Sequence, residues 1–309
     1  MTKIILTGGS GFLGSHLLQH NAFYDALVIG RNRPSRCRHF RPLSLDVESD
    51  LSAELKGYDI VVHVAGRAHI MNEESSNPIS EFRKINTSGT LNLARQAAQA
   101  GIKRFIFISS IKVLGENTCL GVPFKSSDSL NPQDPYSVSK AEAEVGLTEI
   151  AKESDMDIVI IRPPLIYGNG VKGNFLSLMK IITFKFPLPL GKIKNKRSLV
   201  CVENLVDLIV TCLDHPNAKN KCFLVSDGRD LSTSDLLFAV AIAGGYRPWI
   251  FRCPHFLSFL FLRLLGKRGI YDRLYGSMQV DIDYTKTQLD WCPPFKVENS
   301  LIKCWINFK

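Results

Sequence analysis

Tyr136 and Lys140 stand four residues apart in Tyr136-Ser-Val-Ser-Lys140. Positions i and i+4 share one face of a helix, so this spacing projects a phenol and an ammonium together. A phenol with a pKa of ~10 is a poor base at neutral pH, and a neighbouring lysine cation favours its ionised form. The pair suits proton transfer to and from an alcohol or carbonyl oxygen. Such a spacing arises often by chance and gains weight only from its company. Ser109 and Ser110 follow the apolar run Arg104-Phe-Ile-Phe-Ile108, and in an α/β protein that is the sheet rim where ligands bind. A hydroxyl there can hydrogen-bond the oxygen that Tyr136 protonates or deprotonates.

Thr7-Gly8-Gly9-Ser10-Gly11-Phe12-Leu13-Gly14 follows one apolar run and opens a helical stretch, the context in which a glycine fingerprint binds a dinucleotide. Gly8 and Gly11 permit a tight turn and close approach to a pyrophosphate, and Gly14 lets the helix pack closely on the sheet. The helix N-terminus, with Phe12 and Leu13 in its first turn, offers free N–H groups and a positive dipole end. A glycine turn without a ligand is the alternative. After the next run the sequence reads Gly30-Arg31-Asn32-Arg33, with five arginines between 31 and 41 and no acid among them. A carboxylate there would hold the ribose 2′-hydroxyl of NAD, whereas guanidinium groups suit a 2′-phosphate. Arg31 and Arg33 therefore turn the expectation towards NADP(H), with NAD(H) open and a solvated basic loop as the alternative.

These residues need a sheet to position them. Lys3–Thr7, Ala26–Ile29, Asp59–Val64, Arg104–Ile108 and Asp157–Ile161 are apolar runs. Helical stretches at Phe12–His20, Thr90–Ala100 and Ser139–Lys152 fall between them. Runs apolar on both faces and separated by helices predict an α/β fold with a doubly wound parallel (Rossmann) sheet. After Arg162-Pro163-Pro164 the pattern changes. Prolines at 187, 189, 293 and 294 mark loops, and helices are expected over Glu203–Asp214, Ser232–Ala243 and Phe256–Leu265. The expected division is a dinucleotide domain of 1–165 plus about 198–226, the second piece carrying a strand near Cys222–Val225. A smaller C-terminal substrate-binding lobe takes about 166–197 and 227–309.

The 309 residues are 45% apolar and 22% charged, with 38 basic against 29 acidic side chains, a net +9. Such a chain buries enough apolar surface to fold, and 15 prolines with 22 scattered glycines exclude a coiled coil or collagen. The basic excess fits an anionic small molecule; nucleic acid is disfavoured because no basic helix or aromatic platform accompanies it. The eight cysteines never fall at C-x-x-C spacing and no histidine pair joins them, so no metal site is expected. Buried, reduced thiols are the reading. Ile4-Ile5-Leu6 before Gly8 is far short of a signal peptide, and the cytoplasm is the expected location. Phe256–Leu265 is about half the ~20 residues a spanning helix needs, and it carries Arg263. A helix buried in the substrate lobe is preferred there to a membrane-surface role, and no stable insertion is expected. A non-catalytic dinucleotide sensor, a further class, would have no need of Tyr136 and Lys140.

The chain resembles the extended short-chain dehydrogenases/reductases of the NAD-dependent epimerase/dehydratase family. The likeness runs from the glycine loop through Leu45-Asp46-Val47, His63-Val-Ala65-Gly66 and Asn86 in Ile-Asn-Thr-Ser-Gly. It continues through Ser109-Ser110 and Tyr136…Lys140 to Arg162-Pro163-Pro-Leu-Ile-Tyr167-Gly168. The resemblance implies a catalytic hydroxyl five residues before the glycine of a V-Y-G segment. That glycine is Gly115, which makes Ser110 the catalytic serine beside Tyr136 and Lys140, although Leu114 replaces the segment's tyrosine. By the same resemblance Asp46 and Val47 border the adenine, and Ala65, Gly66, Asn86 and Pro163 lie along the cofactor.

A UDP-sugar is the implied substrate. Between Ile158 and Val202 there are eight Lys or Arg residues and no acid, which suits a diphosphate. By resemblance Asn174 and Arg197 contact that diphosphate, Arg273 is a further phosphate candidate, and Leu190 in Leu188-Pro-Leu-Gly191 lies beside the uracil. Dehydratases of the family need an acidic pair directly after the catalytic hydroxyl. Those positions are Ile111 and Lys112 here, so dehydration lacks its acid and base. Overall the likeness is greatest to UDP-N-acetylquinovosamine dehydrogenases of surface-polysaccharide biosynthesis. Reduction of a UDP-4-keto-6-deoxy-HexNAc, or its reverse, is therefore expected first, with UDP-hexose or UDP-HexNAc 4-epimerisation as the alternative. A homodimer paired through two sheet-side helices is also open.

Overall fold

The computed structural model describes residues 2–67, 77–184, 187–254, 256, 263, 268–306 and 308, the side chains of 268–270 and 273 excepted. In chain order its strands are β1 (Ile4–Thr7), β2 (Leu27–Gly30), β3 (His39–Pro42), β4 (Ile60–His63), β5 (Arg104–Ile108) and β6 (Asp157–Arg162). They are followed by β7 (Leu165–Tyr167), β8 (Leu188–Gly191), β9 (Leu199–Cys201), β10 (Lys221–Leu224) and β11 (Ile250–Arg252). Seven of them form one parallel sheet in the order β10-β6-β5-β4-β1-β2-β3. The order reverses beside β1, at the crevice where doubly wound sheets take ligands.

Alternation along each strand sends side chains to two separate cores. Leu6, Val28, Val62, Ile106 and Ile161 face one side, under α1 (Phe12–Leu17) and α7 (Val202–Asp214). Ile5, Ile29, Val61, Phe105, Phe107 and Ile160 face the other. There they meet α2 (Ser52–Leu55), α4 (Thr90–Gln99) and α5 (Pro135–Glu153). Both faces being covered is why these strands read as continuous apolar runs. A further core joins β7, β9, α6 (Gly173–Thr183), α8 (Thr233–Ala243) and a helix at Val297–Cys304. In this part β7 pairs with β9 and β8 with β11, each pair parallel.

Several expectations change. The sheet holds one strand more than the apolar runs predict, because β3 is an edge strand whose residues are mostly exposed and polar. Backbone pairing to β2 holds it without an apolar pattern. Helix α1 stops at Leu17 rather than His20. Helix α5 starts at Pro135, four residues before Ser139, because Asp134 caps it and Pro135 suits its first turn. Helix α4 extends backwards through a π-helical segment, Arg83–Gly89, into α3 (Pro78–Phe82). The helix expected over Phe256–Leu265 lies outside the described residues apart from Phe256 and Arg263. All eight cysteines are free, but only Cys201, Cys212 and Cys304 are buried as expected, and Cys119 and Cys292 lie exposed. Among the described residues no helix is long and apolar enough to cross a membrane, and no group of side chains could hold a metal ion.

One buried ion pair ties α5 to β6. Arg162 donates through Nε to both oxygens of Glu144 at 3.1 Å and through Nη2 to Oε2 at 2.6 Å, with both side chains under a tenth exposed. Removing one partner leaves an uncompensated buried charge, which costs far more than the intact pair contributes. Arg162→Met should therefore lower the unfolding free energy by about 3–5 kcal/mol in a urea titration, and adding Glu144→Leu should recover most of it. A single substitution costing under 1 kcal/mol would contradict this.

Candidate active site

The turn after β1 is shaped by what surrounds it. Gly8 has φ +74°, and a Cβ there would lie 2.6 Å from the Ala65 nitrogen. A Cβ at Gly14 would fall 2.2 Å from the Gly8 oxygen, so α1 packs against the turn itself. Gly11 caps α1 with no side chain, its N–H closing the turn onto the Gly8 oxygen at 3.0 Å. No acidic residue stands in the first helical turn, and Leu13 is buried. A side chain at Gly8 or Gly14 would collide with backbone, and a tight glycine turn leading into the uncapped start of α1 fits a dinucleotide pyrophosphate.

At the end of β2, Arg31 and Arg33 are both exposed. Arg33 turns back on its own loop, its Nη2 donating to the carbonyls of Cys37 (3.2 Å) and Arg38 (3.3 Å). Asp46 accepts from Ser49 Oγ at 2.7 Å and from the Glu48 N–H at 3.2 Å, and hydrogen bonds from Ser49 and Ser44 hold its carboxyl below the usual range. Val47 beside it is exposed.

The loop after β4 is locked from both sides. Asn86, buried in the π-helical segment, accepts from the Arg67 N–H at 2.7 Å. Its Nδ2 donates to the Arg67 carbonyl and to Ser139 Oγ, each at 3.0 Å. These bonds press Gly66 onto α5, where its missing side chain matters: a Cβ would stand 3.2 Å from Lys140 Nζ. Beneath it the His63 ring bridges Thr7 (2.7 Å) and Thr90 (2.9 Å), linking β1, β4 and α4. Burial, with Lys140 nearby, pushes that imidazole down to about 3, so it stays neutral.

The two serines after β5 separate. Ser109 is buried, with its N–H bonded to the Ile161 carbonyl at 2.8 Å and its hydroxyl turned away from any partner among the described residues. Ser110 stands near enough to Tyr136 to act on its ionisation, and the Tyr136 ring rests edge-on against Phe82 with centroids 6.1 Å apart. The Ile111 N–H bonds to the Pro163 carbonyl at 3.0 Å and fixes this turn to the end of β6. Lys140, buried, donates to the Ile108 carbonyl at 3.0 Å and lies 4.5 Å above the Phe107 ring.

The electrostatics differ from the expectation that Lys140 primes the phenol. Burial pushes Tyr136 up to about 12; the nearby Ser110 hydroxyl draws it down, and the Asp134 charge pushes it up again. Burial lowers Lys140 to about 8, against a pull upward from Glu144. The ammonium is spent on the Ile108 carbonyl and an aromatic face.

Of the substrate candidates, Asn174 is exposed at the second residue of α6 and Leu190 is half-buried in β8. Arg197 pairs its backbone with Leu231 and Met278, and its Nη1 donates to the Gly276 carbonyl at 3.2 Å. The side chain of Arg273 lies outside the described residues. Two features went unread in the sequence: the Thr7–His63–Thr90 bridge, and the Asn86 lock whose only trace is a polar residue where a helix face turns inward.

The model of the NAD dependent epimerase/dehydratase family matches residues 4–225. The chain belongs to that family. This family member is 47% identical over 302 residues to a UDP-glucose 4-epimerase from Vibrio cholerae, covering 94% of this chain and 91% of the relative. It is 29% identical over 248 residues to an N-acetyl-α-D-glucosaminyl-diphospho-ditrans,octacis-undecaprenol 4-epimerase from Escherichia coli O157:H7, covering 77% and 71%. Its fold matches that of a UDP-glucuronic acid 4-epimerase from Bacillus cereus in complex with NAD, with a TM-score of 0.79 at 20% identity over 99% and 98% of the chains.

The burial of Lys140 has a consequence for stability. A lysine whose folded pKa lies below its ordinary 10.5 makes the folded state less stable wherever it is charged, and the cost fades as pH rises from about 8 towards 10.5. Lys140→Met should therefore stabilise the fold at pH 7 by about 1–3 kcal/mol, net of the lost hydrogen bond, while turnover collapses. The gain should shrink in unfolding curves taken at progressively higher pH. A destabilised variant at pH 7 would contradict the assignment of a costly buried charge.

Proposed function

We propose that this enzyme is a UDP-hexose 4-epimerase, with UDP-HexNAc as a further substrate, that keeps its nicotinamide dinucleotide through each cycle. The observation that carries the reading is the 47% identity, over nearly the whole chain, to a UDP-glucose 4-epimerase. It supports the alternative expected from the sequence over 4-keto reduction. The bound dinucleotide supplies hydride acceptance and return at the sugar carbon, together with positive charge that favours a phenolate. Gly8, Gly11, Phe12, Leu13 and Gly14 would hold its pyrophosphate, with Asp46 and Val47 at the adenine. Ala65, Gly66, Asn86 and Pro163 would line its path to Tyr136 and Lys140.

Tyr136 then takes the proton from the C4 hydroxyl as hydride leaves C4, and returns it to the 4-keto oxygen when hydride comes back on the other face. Ser110 would hold that oxygen by a hydrogen bond, and its hydroxyl draws the Tyr136 ionisation down. Lys140 keeps the end of β5 and the start of α5 in register through the Ile108 carbonyl. Asn174, Leu190, Arg197 and Arg273 would take the UDP moiety. Purified protein given UDP-glucose or UDP-N-acetylglucosamine without cofactor should form the galacto epimers with no net change in reduced-nicotinamide absorbance. Tyr136→Phe should lower that rate by roughly 10²–10⁴-fold. Stoichiometric oxidation of added reduced cofactor by a UDP-4-keto-6-deoxy-HexNAc, with no epimer formed, would overturn the epimerase reading in favour of the reductase.

Cofactor choice turns on the β2 edge. Arg33 is engaged by its own loop, which leaves Arg31 as the residue to meet a 2′-phosphate. If NADP(H) is the cofactor, Arg31→Ala should weaken its binding by about tenfold or more, one charged hydrogen bond contributing ~1.5–3 kcal/mol. NAD(H) binding should not change, and Arg33→Ala should have the smaller effect. Titrations in which the wild-type protein binds both cofactors equally, or prefers NAD(H), would remove the 2′-phosphate role from Arg31.

A further inference from the structure

Lys112 follows Ser110 by two residues and reaches both hydroxyl-bearing elements of the site. Its backbone N–H donates to Ser110 Oγ at 3.3 Å. Its ammonium donates to Asp134 Oδ2 and Glu116 Oε1, each at 2.7 Å. Asp134 is the cap of α5, two residues before Tyr136, and its other oxygen accepts the Ser137 N–H at 2.6 Å. One side chain thus joins the turn that carries Ser110 to the helix end that carries Tyr136.

We infer that Lys112 is a positioning residue, pinning the start of α5 to the Ser110 turn and offsetting the Asp134 charge beside the Tyr136 phenol. This rests on the proton-transfer role proposed for Tyr136 and deepens it. Among the described residues the charged groups around the phenol are few. Lys140 stands on its own helix, the Asp134–Lys112–Glu116 cluster at that helix's N-terminal end, and the Arg67–Glu81 pair behind Phe82. Among them Asp134 acts against ionisation of Tyr136. Burial alone would lower the Lys112 ammonium, but its bonds to Asp134 and Glu116 hold it above the ordinary lysine value, so it is a cation throughout the working range. A carboxylate at 112 would stand at hydrogen-bond distance from two others. The surroundings are built for a positive charge.

The test compares Lys112→Met, Lys112→Arg and Lys112→Met/Asp134→Asn with the parent protein. Ionisation of Tyr136 is followed by ¹³C NMR of ring-labelled tyrosine in protein loaded with NAD⁺, the resonance being assigned with Tyr136→Phe, and kcat/KM is followed against pH. Lys112→Met should raise the Tyr136 ionisation, and the acid limb of kcat/KM with it, by about one pH unit, the scale set by a nearby charge. Below that limb turnover should fall about tenfold with little change in KM. Lys112→Arg should restore both readouts, and Asp134→Asn, which keeps a capping side chain, should reverse the shift in the Met background. An ionisation that stays put in Lys112→Met, or turnover lost without any movement of the pH limb, overturns the inference. Because the NMR reading needs no substrate, a parent protein that epimerises nothing would sink the functional reading while the Lys112 result still stands or falls by itself.

Discussion

A lysine ammonium buried at the carboxyl rim of a parallel sheet is the constraint around which this site is arranged. Lys140 has an aromatic ring beneath it, a carbonyl at 3.0 Å and hardly any water. Several neighbours make sense only as its accommodation. Gly66 leaves out a side chain that would crowd Nζ. His63 is kept neutral rather than adding a second positive charge. Glu144, one helical turn on, offsets the charge while being held by Arg162. The burial costs stability, which a functional site has reason to bear.

Around that charge the fold acts as a set of clamps. β5 ends where Ser109 and Ser110 diverge, one sunk into the sheet and the other presented to Tyr136. β4 ends in a loop that Asn86 pulls onto α5, and the π-helical segment lets Asn86 turn its amide inward from an otherwise ordinary helix face. The capping of α5 by Asp134 and Ser137 sets the position of Tyr136 at the helix start, where the dipole end and a cap hydrogen bond both fix the backbone. The end of β5, the loop after β4 and the start of α5 are thereby held to one another.

Much of this was legible in the residues. The glycine loop, the i,i+4 tyrosine and lysine, and six of the seven sheet strands all follow from period and turn chemistry, because burial on both faces writes itself as apolar runs. β3 escaped because an edge strand of His39–Pro42 pairs through its backbone and carries no apolar signature. Lys140 was read as an activator of the phenol, yet its ammonium faces the Ile108 carbonyl; direction of a side chain within a shared helix face is decided by packing, which spacing alone does not contain. Asn86 could be placed only by resemblance, since its partners lie 19 and 53 residues away in the chain. Arg33 was expected at a phosphate and is instead held by carbonyls of its own loop, a local competition invisible in composition.

The central claim is that hydride leaves and returns to the same sugar carbon within one closed cycle. UDP-glucose carrying deuterium at C4, incubated with the protein and an excess of unlabelled oxidised and reduced cofactor, tests it most directly. Mass spectrometry and NMR of the recovered UDP-sugars should find the deuterium retained at C4 in both epimers, with none in the free cofactor pool. Deuterium washed out of the sugar into that pool would show cofactor exchange at every turnover and contradict the account.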